Sequence, residues 1–317
     1  MAGHYGLDGK LIQKYYKENL SDFREWDQLS HAEDYILFPK NLSYHLCIDE
    51  TALTSGELYT ILSSKKGHGR KGTIVAVIKG TKAEDIINVL CKIPEKERNI
   101  VKEVTLDMAG SMQKIIRCCF PKAIQVIDSF HVQKLAYDAL QDLRISYRWQ
   151  VISDEEEKIK QAKLKGRKYQ AKVLANGDTL RQLLARSRYL LFKAPDKWVH
   201  SQKVRATLLF EQFPDIMHLY HRVMQLGQIY SQSYDKNVAR LKLAQWYESI
   251  EQEGYRNFST VSQTIENNYE RILNFFINRS TNAAAESFNA KLKFFRASFR
   301  GVADMTFFLF RISKIYA

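Results

Sequence analysis

A change of pattern part-way along the chain constrains its fold more than any other feature. Between residues 44 and 128, apolar runs of strand length give way to alternating strand-like and helix-like segments. Tyr44 to Asp49, Glu57 to Ser63 and Thr73 to Ile78 come first. A helical stretch follows at Lys82 to Lys92, then a strand at Val101 to Asp107, a helix at Ser111 to Cys119, a strand at Ala123 to Asp128 and a long helix from Phe130 onward. Past about residue 145 the strand pattern stops, and up to about residue 278 the text is helical, rich in Lys, Leu and Tyr and poor in Gly and Pro. Three strands with short turns predict an antiparallel meander, and strands separated by helices predict crossovers. The expectation is a mixed α/β sheet with helices on both faces, interrupted by a long all-helical insertion.

The corresponding divisions are a helical lead-in at 1–40, the first part of the core at 41–145, the insertion at 146–278 and the closing helices of the core at 279–317. In the lead-in, Leu11, Tyr15, Leu20 and Phe23 lie loosely at helical spacing within Lys10 to Trp26. That segment is shorter than the roughly 50 residues of the smallest ordinary domains.

At 317 residues with 45% apolar content, the chain can bury a sizeable core. It shows neither a membrane-length apolar run nor a signal-peptide pattern, so a cytoplasmic protein without membrane attachment is expected. Cys47, Cys91, Cys118 and Cys119 lack zinc-site spacing and read as buried thiols in a reducing compartment. Charge is distributed unevenly. Residues 1–150 hold 21 Lys and Arg against 19 Asp and Glu, whereas residues 151–317 hold 27 against 16. Such a surplus suits a surface that tracks a polyanion such as DNA, and equally a basic soluble protein.

Three carboxylates stand in distinct local contexts: Asp49 in YHLCIDE, Asp107 in VKEVTLDMAG and Glu286 in NRSTNAAAESFNAKLK. Asp49, Asp107 and Asp128 end apolar strand-like runs, and ligands of α/β sheets bind beyond such strand ends. A single strand-end Asp is as readily a helix cap or a turn residue. On the late helix, Asn282, Glu286, Asn289 and Lys293 are offset by 4, 7 and 11 and share a face, while Phe288, Leu292 and Phe295 form another that can pack on the sheet. Convergent carboxylates can hold hard divalent cations, the chemistry of phosphodiester cleavage and transfer.

The strings IDE, LDMAG, IDSFHVQK and NAAAESFNAKLKFFRASFRG resemble the DDE transposases of bacterial insertion sequences, of the ISL-three type, over roughly residues 44 to 317. Separations of 58 residues between Asp49 and Asp107 and 179 between Asp107 and Glu286 are similar to that family's short first gap and its insertion before the glutamate. The resemblance implies an RNase H-like fold, with Asp49, Asp107 and Glu286 as catalytic metal ligands for two Mg²⁺ or Mn²⁺ ions. It also implies cleavage at element ends and strand transfer into target DNA. Asp128 and His131 match a supporting Asp-x-x-His element, although His131 is equally an interior histidine; Asn282 and Asn289 complete the supporting set. The partners implied are element-end and target DNA in a dimer or larger assembly, with the protein nucleoid-associated when acting. A separate N-terminal DNA-recognition protein is a further expectation, because the zinc-binding and helix-turn-helix region usual in the family is not found before Asp49. The alternatives are a catalytically silent DNA-binding protein of transposase descent and an RNase H-like nuclease without strand transfer.

Other features admit two readings each. The loop KKGHGRKG (65–72) lacks phosphate-loop spacing, so Lys65, Lys66, Arg70 and Lys71 form either a hairpin tip touching DNA phosphates or a solvated turn. Lys291, Lys293, Arg296 and Arg300 follow Glu286 and are placed to position DNA. Lys158, Lys160, Lys163, Lys165, Arg167, Lys168 and Lys172 form a phosphate-tracking helix or merely a solvated one. His218 and His221 at i and i+3 lack partner ligands, and Trp246 is a core residue or a base-stacking one.

Overall fold

The computed structural model describes residues 6, 8–53, 56–254, 256–298, 302 and 304–317. Six strands form one sheet: β1 (Tyr35–Leu37), β2 (His45–Ala52), β3 (Leu58–Ser64), β4 (Ile74–Lys79), β5 (Glu103–Leu106) and β6 (Ile124–Ile127). Their order is β1-β4-β3-β2-β5-β6. The meander β2-β3-β4 is antiparallel, whereas β5 and β6 run parallel to β2. This is an α/β sheet of RNase H-like type, extended at one edge by β1. That three-residue strand pairs with β4 and was absent from the sequence expectation, being too short to show a period.

The helices are α1 (Gly9–Tyr15), α2 (Ala83–Leu90), α3 (Glu95–Arg98), α4 (Gly110–Cys119), α5 (Ser129–Leu164), α6 (Leu180–Arg186), α7 (His200–Gln212), α8 (Pro214–Gln232), α9 (Lys236–Glu253), α10 (Arg256–Asn267), α11 (Tyr269–Leu273), α12 (Phe275–Asn278), α13 (Ala283–Ser298) and α14 (Met305–Tyr316). They divide the chain into two compact units, residues 1–128 with 278–317, and Ser129–Ile277. Among the described residues, no helix is long and apolar enough to cross a membrane.

In the first unit, strand alternation sends side chains to two core layers. Leu46, Ile48, Val104 and Leu106 meet Ile86, Leu90, Met112 and Ile116 of α2 and α4. On the opposite face Ile61, Ile74 and Val77 meet Phe288 and Leu292 of α13 and Phe308, Leu309 and Ile312 of α14. The lead-in departs from a single helix. After α1 the chain passes through a π-turn at Tyr16–Leu20 and turns away at Ser21 in extended conformation. Leu11, Tyr15 and Leu20 stay exposed, while Phe23 packs edge-on against Phe307 and Phe310. Cys47 and Cys119 are buried as expected, but Cys91 and Cys118 are exposed, because they fall at the end of α2 and on the solvent side of α4.

The second unit is helical, as its sequence pattern predicts. Trp246 is fully buried, its indole N–H donating to the Arg222 carbonyl at 2.8 Å, so it serves the core and is closed to a base. His218 and His221 lie exposed on α8. The Lys and Arg residues between 158 and 172 are all exposed.

Before α6, Asp178 is buried between Arg205, at 3.0 Å, and Arg186, with Asn176 donating to it at 2.8 Å. Burial alone would raise its carboxyl, but hydrogen bonds from Arg205 and Arg186 and the charge of Arg205 outweigh this and hold it below the ordinary range. A lowered folded value means the carboxylate stabilises the fold above the unfolded Asp pKa of about 3.9, and this stabilisation is lost as pH falls through the folded value. Asp178→Asn should therefore cost about 2 kcal/mol in urea denaturation at neutral pH, discounted for the exposed Arg186. The gap between variant and wild type should narrow below about pH 4.

Candidate active site

Strand register brings the acidic residues into line. Between β2 and β5, Cys47 is level with Thr105, and carrying that register two residues onward sets Asp49 level with Asp107. Between β5 and β6, Leu106 is level with Ile127, and the Asp128 amide donates to the Leu106 carbonyl at 3.1 Å, which sets Asp107 level with Asp128. Adjacent strands lie about 4.8 Å apart, and partners in register on parallel strands point to the same face. Asp49 on β2, and Asp107 and Asp128 each one residue past β5 and β6, thus line up at the same end of three parallel strands.

Asp49 does not end its strand. β2 continues to Ala52 because it remains paired with β3, from Asp49 opposite Ile61 to Ala52 opposite Leu58. The row therefore follows the ends of β5 and β6, with β2 projecting past it. Asp107 also does local work: its Oδ1 accepts from the Ala109 amide at 2.8 Å in the turn leading to α4.

Above the row lies α13, held by Phe288 and Leu292, both buried in the sheet's second core layer. This anchoring turns Asn289 toward Asp49 on β2 and leaves Glu286 beside Asp128. Asn289 Nδ2 donates to Asp49 Oδ2 at 2.7 Å, and the Glu50 amide donates to Asp49 Oδ1 at 2.9 Å. Both carboxylate oxygens of Asp49 are thereby oriented. Glu286 is exposed and Asp128 buried, and their carboxylate oxygens lie within 4.8 Å of one another, close enough for one metal ion. Asp49 and Asp107 lie outside this closest grouping. His131 sits half-buried in the first turn of α5, in the second unit, with its ring edge-on to Phe130.

Orphaned polar atoms mark the same helix. Asn282 is fully buried with neither Nδ2 nor Oδ1 bonded, and Asn289 Oδ1 is buried without a partner. Buried amides left unpaired cost stability, which is understandable where a cation, water or substrate group completes them. Carboxylate and amide oxygens are the donors that Mg²⁺ and Mn²⁺ prefer, so the residues present fit a hard divalent cation.

Cys47 lies beneath this set. Burial pushes its thiol up to about 12; Lys65 and the Ala285 backbone act the other way, and Asp128 and Asp49 add to the rise. It remains a neutral thiol, unsuited to nucleophilic attack or thiolate ligation. Glu50, to which the sequence reading gave no role, is half-buried, and its carboxyl is raised by burial and then by the charges of Asp107 and Asp49. Its only sequence signal is adjacency to Asp49.

The cations of the 65–72 loop separate. Lys65 turns inward, donating to Thr105 Oγ1 at 2.6 Å with Glu103 Oε1 at 3.6 Å, while Lys66, Arg70 and Lys71 are exposed. His68 and Gly69 adopt left-handed conformations, and the Gly69 carbonyl accepts from Lys291 Nζ at 3.1 Å, tying the loop to α13. Lys293 is exposed and Arg296 half-buried; Arg300 falls outside the described residues.

Carboxylates on β2 and just past the ends of β5 and β6, faced by a glutamate-bearing helix on an RNase H-like sheet, make an oxygen-rich site suited to a hard divalent cation. The chain belongs to the ISL3-type DDE transposase family, whose model, described as transposase, matches residues 46–312. It is also 22% identical over 275 residues to the transposase for insertion sequence element IS1001 of Bordetella parapertussis, an alignment covering 86% of this chain and 61% of that protein. The chain thus spans about three fifths of the length of that curated relative.

The two asparagines should respond oppositely to the near-isosteric Leu. Asn282→Leu should stabilise the metal-free protein by about 1 kcal/mol, because it removes an unpaired buried amide. Asn289→Leu should destabilise it by about 1–2 kcal/mol, since Asp49 loses a charge-assisted bond. Urea denaturation of both variants checks this.

Proposed function

We propose that this chain is a transposase that cleaves DNA at insertion-sequence ends and transfers the freed strand into target DNA. The observation that carries the reading is the in-register row Asp49, Asp107 and Asp128 facing the Glu286 helix, together with the family membership. Asp49, Asp107 and Glu286 would hold two Mg²⁺ or Mn²⁺ ions, with Asp128 beside Glu286 as a supporting carboxylate. Bound there, the cations would supply Lewis-acid stabilisation of the phosphodiester's attacking and leaving oxygens. The chain's own residues do the positioning. Asn289 and the Glu50 amide orient Asp49, Phe288 and Leu292 fix the height of Glu286 over the sheet, and Lys65 offsets part of the negative charge from below.

Lys66, Arg70, Lys71, Lys291, Lys293 and Arg296 would line the DNA path. A cleaved 3′-OH attacking a target phosphodiester breaks one P–O bond as it forms another, so strand transfer needs no external energy source. Synapsis of two element ends makes a dimer or larger assembly the working form, and a separate end-recognition protein would complete it.

The test uses purified protein, labelled DNA carrying the terminal repeats that flank its own coding sequence, a supercoiled target and Mg²⁺ or Mn²⁺. Cleavage and joined products are expected from the wild type. Asp49→Ala, Asp107→Ala and Glu286→Ala should each lower both by about a thousandfold, the worth of several kcal/mol of metal-borne stabilisation. Cleavage without joining would leave a nuclease. Binding without either product, unchanged in all three variants, would leave a silent DNA-binding protein.

A further inference from the structure

The two adjacent phenylalanines of α13 have opposite fates. Phe295 is half-buried and packs against the sheet's second core layer, its ring 5.8 Å from that of Phe308. Phe294 is 77% exposed, the most exposed large apolar side chain among the described residues of the first unit. The pair is legible as helical geometry: 100° per residue carries Phe294 out of the face that holds Phe288, Leu292 and Phe295.

A single exposed apolar side chain needs no explanation by itself. Its surroundings distinguish this one. Lys291 lies one turn before it on the same stripe, bonded to the Gly69 carbonyl of the basic loop, and Lys293 and Arg296 flank it. Between Glu286 and the end of the helix there is no other carboxylate. Phe294 follows Glu286 by eight residues, about 12 Å along the helix, which is the span of a few nucleotides. An aromatic face amid cations, a short reach from a phosphodiester-directed carboxylate, combines the two components of sequence-tolerant single-strand binding: charge for the backbone and a ring for the base.

We propose that Phe294 is a stacking platform for an unpaired base of the DNA engaged at this site, held in place by backbone contacts to Lys293 and Arg296. The inference rests on the DNA-processing reading above and adds to it a ligand class and a residue. Duplex bases are already stacked, so the platform favours gapped, frayed or flipped nucleotides.

The test compares a short duplex containing a gap opposite a single 2-aminopurine with the same duplex intact, both added to full-length protein in Mg²⁺. Anisotropy gives affinity and 2-aminopurine quenching reports stacking. The wild type should bind the gapped duplex more tightly and quench it. Phe294→Ala should weaken gapped binding roughly 5- to 100-fold, abolish quenching and change intact-duplex binding less than about twofold. Phe294→Trp should restore both signals, and Phe294→Leu, apolar without a π-face, should behave like Ala. Equal binding by Ala and wild type, or full retention by Leu, would overturn the platform while leaving the DNA-processing reading in place. A shift of oligomeric state in Phe294→Ala at unchanged gapped-duplex affinity would make the ring a contact between copies, and the proposal would fall. If the wild type binds neither duplex, the DNA-processing reading fails and the platform with it.

Discussion

The packing of Phe288 and Leu292 into the sheet is the interaction on which the rest of this architecture depends. A helix's side chains are fixed relative to one another, so burying two of them sets the direction of all the others. Once that face is committed, Asn289 points toward Asp49 on β2, Glu286 toward Asp128, and Phe294 outward. The apolar contact thus places polar chemistry that could not hold itself in position. Four carboxylates and a half-buried fifth do not attract one another, and the helix that carries one of them is retained chiefly by hydrocarbon contacts, with the Asn289–Asp49 and Lys291–Gly69 hydrogen bonds beside them.

Burial is the main influence on the titratable groups here, and the crowding of acids adds to it. Glu50 feels both Asp49 and Asp107, and Cys47 feels Asp49 and Asp128. Lys65 is the cation the fold supplies from within, and it is shared with Glu103 and Thr105. A site of this composition has an excess of negative charge and several unfinished hydrogen bonds. It is complementary to a doubly charged cation and hostile to a bare phosphate, so a cation would have to be in place before any phosphate-bearing ligand.

Five of the six strands, their antiparallel and parallel halves and the late helix were readable because each carried a strong local period; β1, three residues long, carried none. What governed the site was less local. Asp49, Asp107 and Asp128 are each followed or bounded by turn signals, but their alignment depends on pairing register, which no single strand encodes. The continuation of β2 to Ala52 comes from its partnership with β3. Lys65 looked like a loop cation because its neighbours are Lys66 and Gly67, yet its direction is decided by Glu103 and Thr105, some 40 residues away. Exposure of Phe294 beside half-buried Phe295 follows from helix phase, although the string LKFFRAS gives both the same weight.

The insertion enters and leaves the sheet unit at the site itself. The chain departs immediately after Asp128 and returns at Asn278, eight residues before Glu286. During synthesis the strand-borne aspartates emerge first, and the glutamate helix cannot join them until the whole of Ser129–Ile277 has been made, at roughly 5–20 residues per second. The entropy of closing so long a connection rises only logarithmically with its length, so the delay costs little stability. A nascent chain that has reached only Ile277 therefore carries the three aspartates without Glu286.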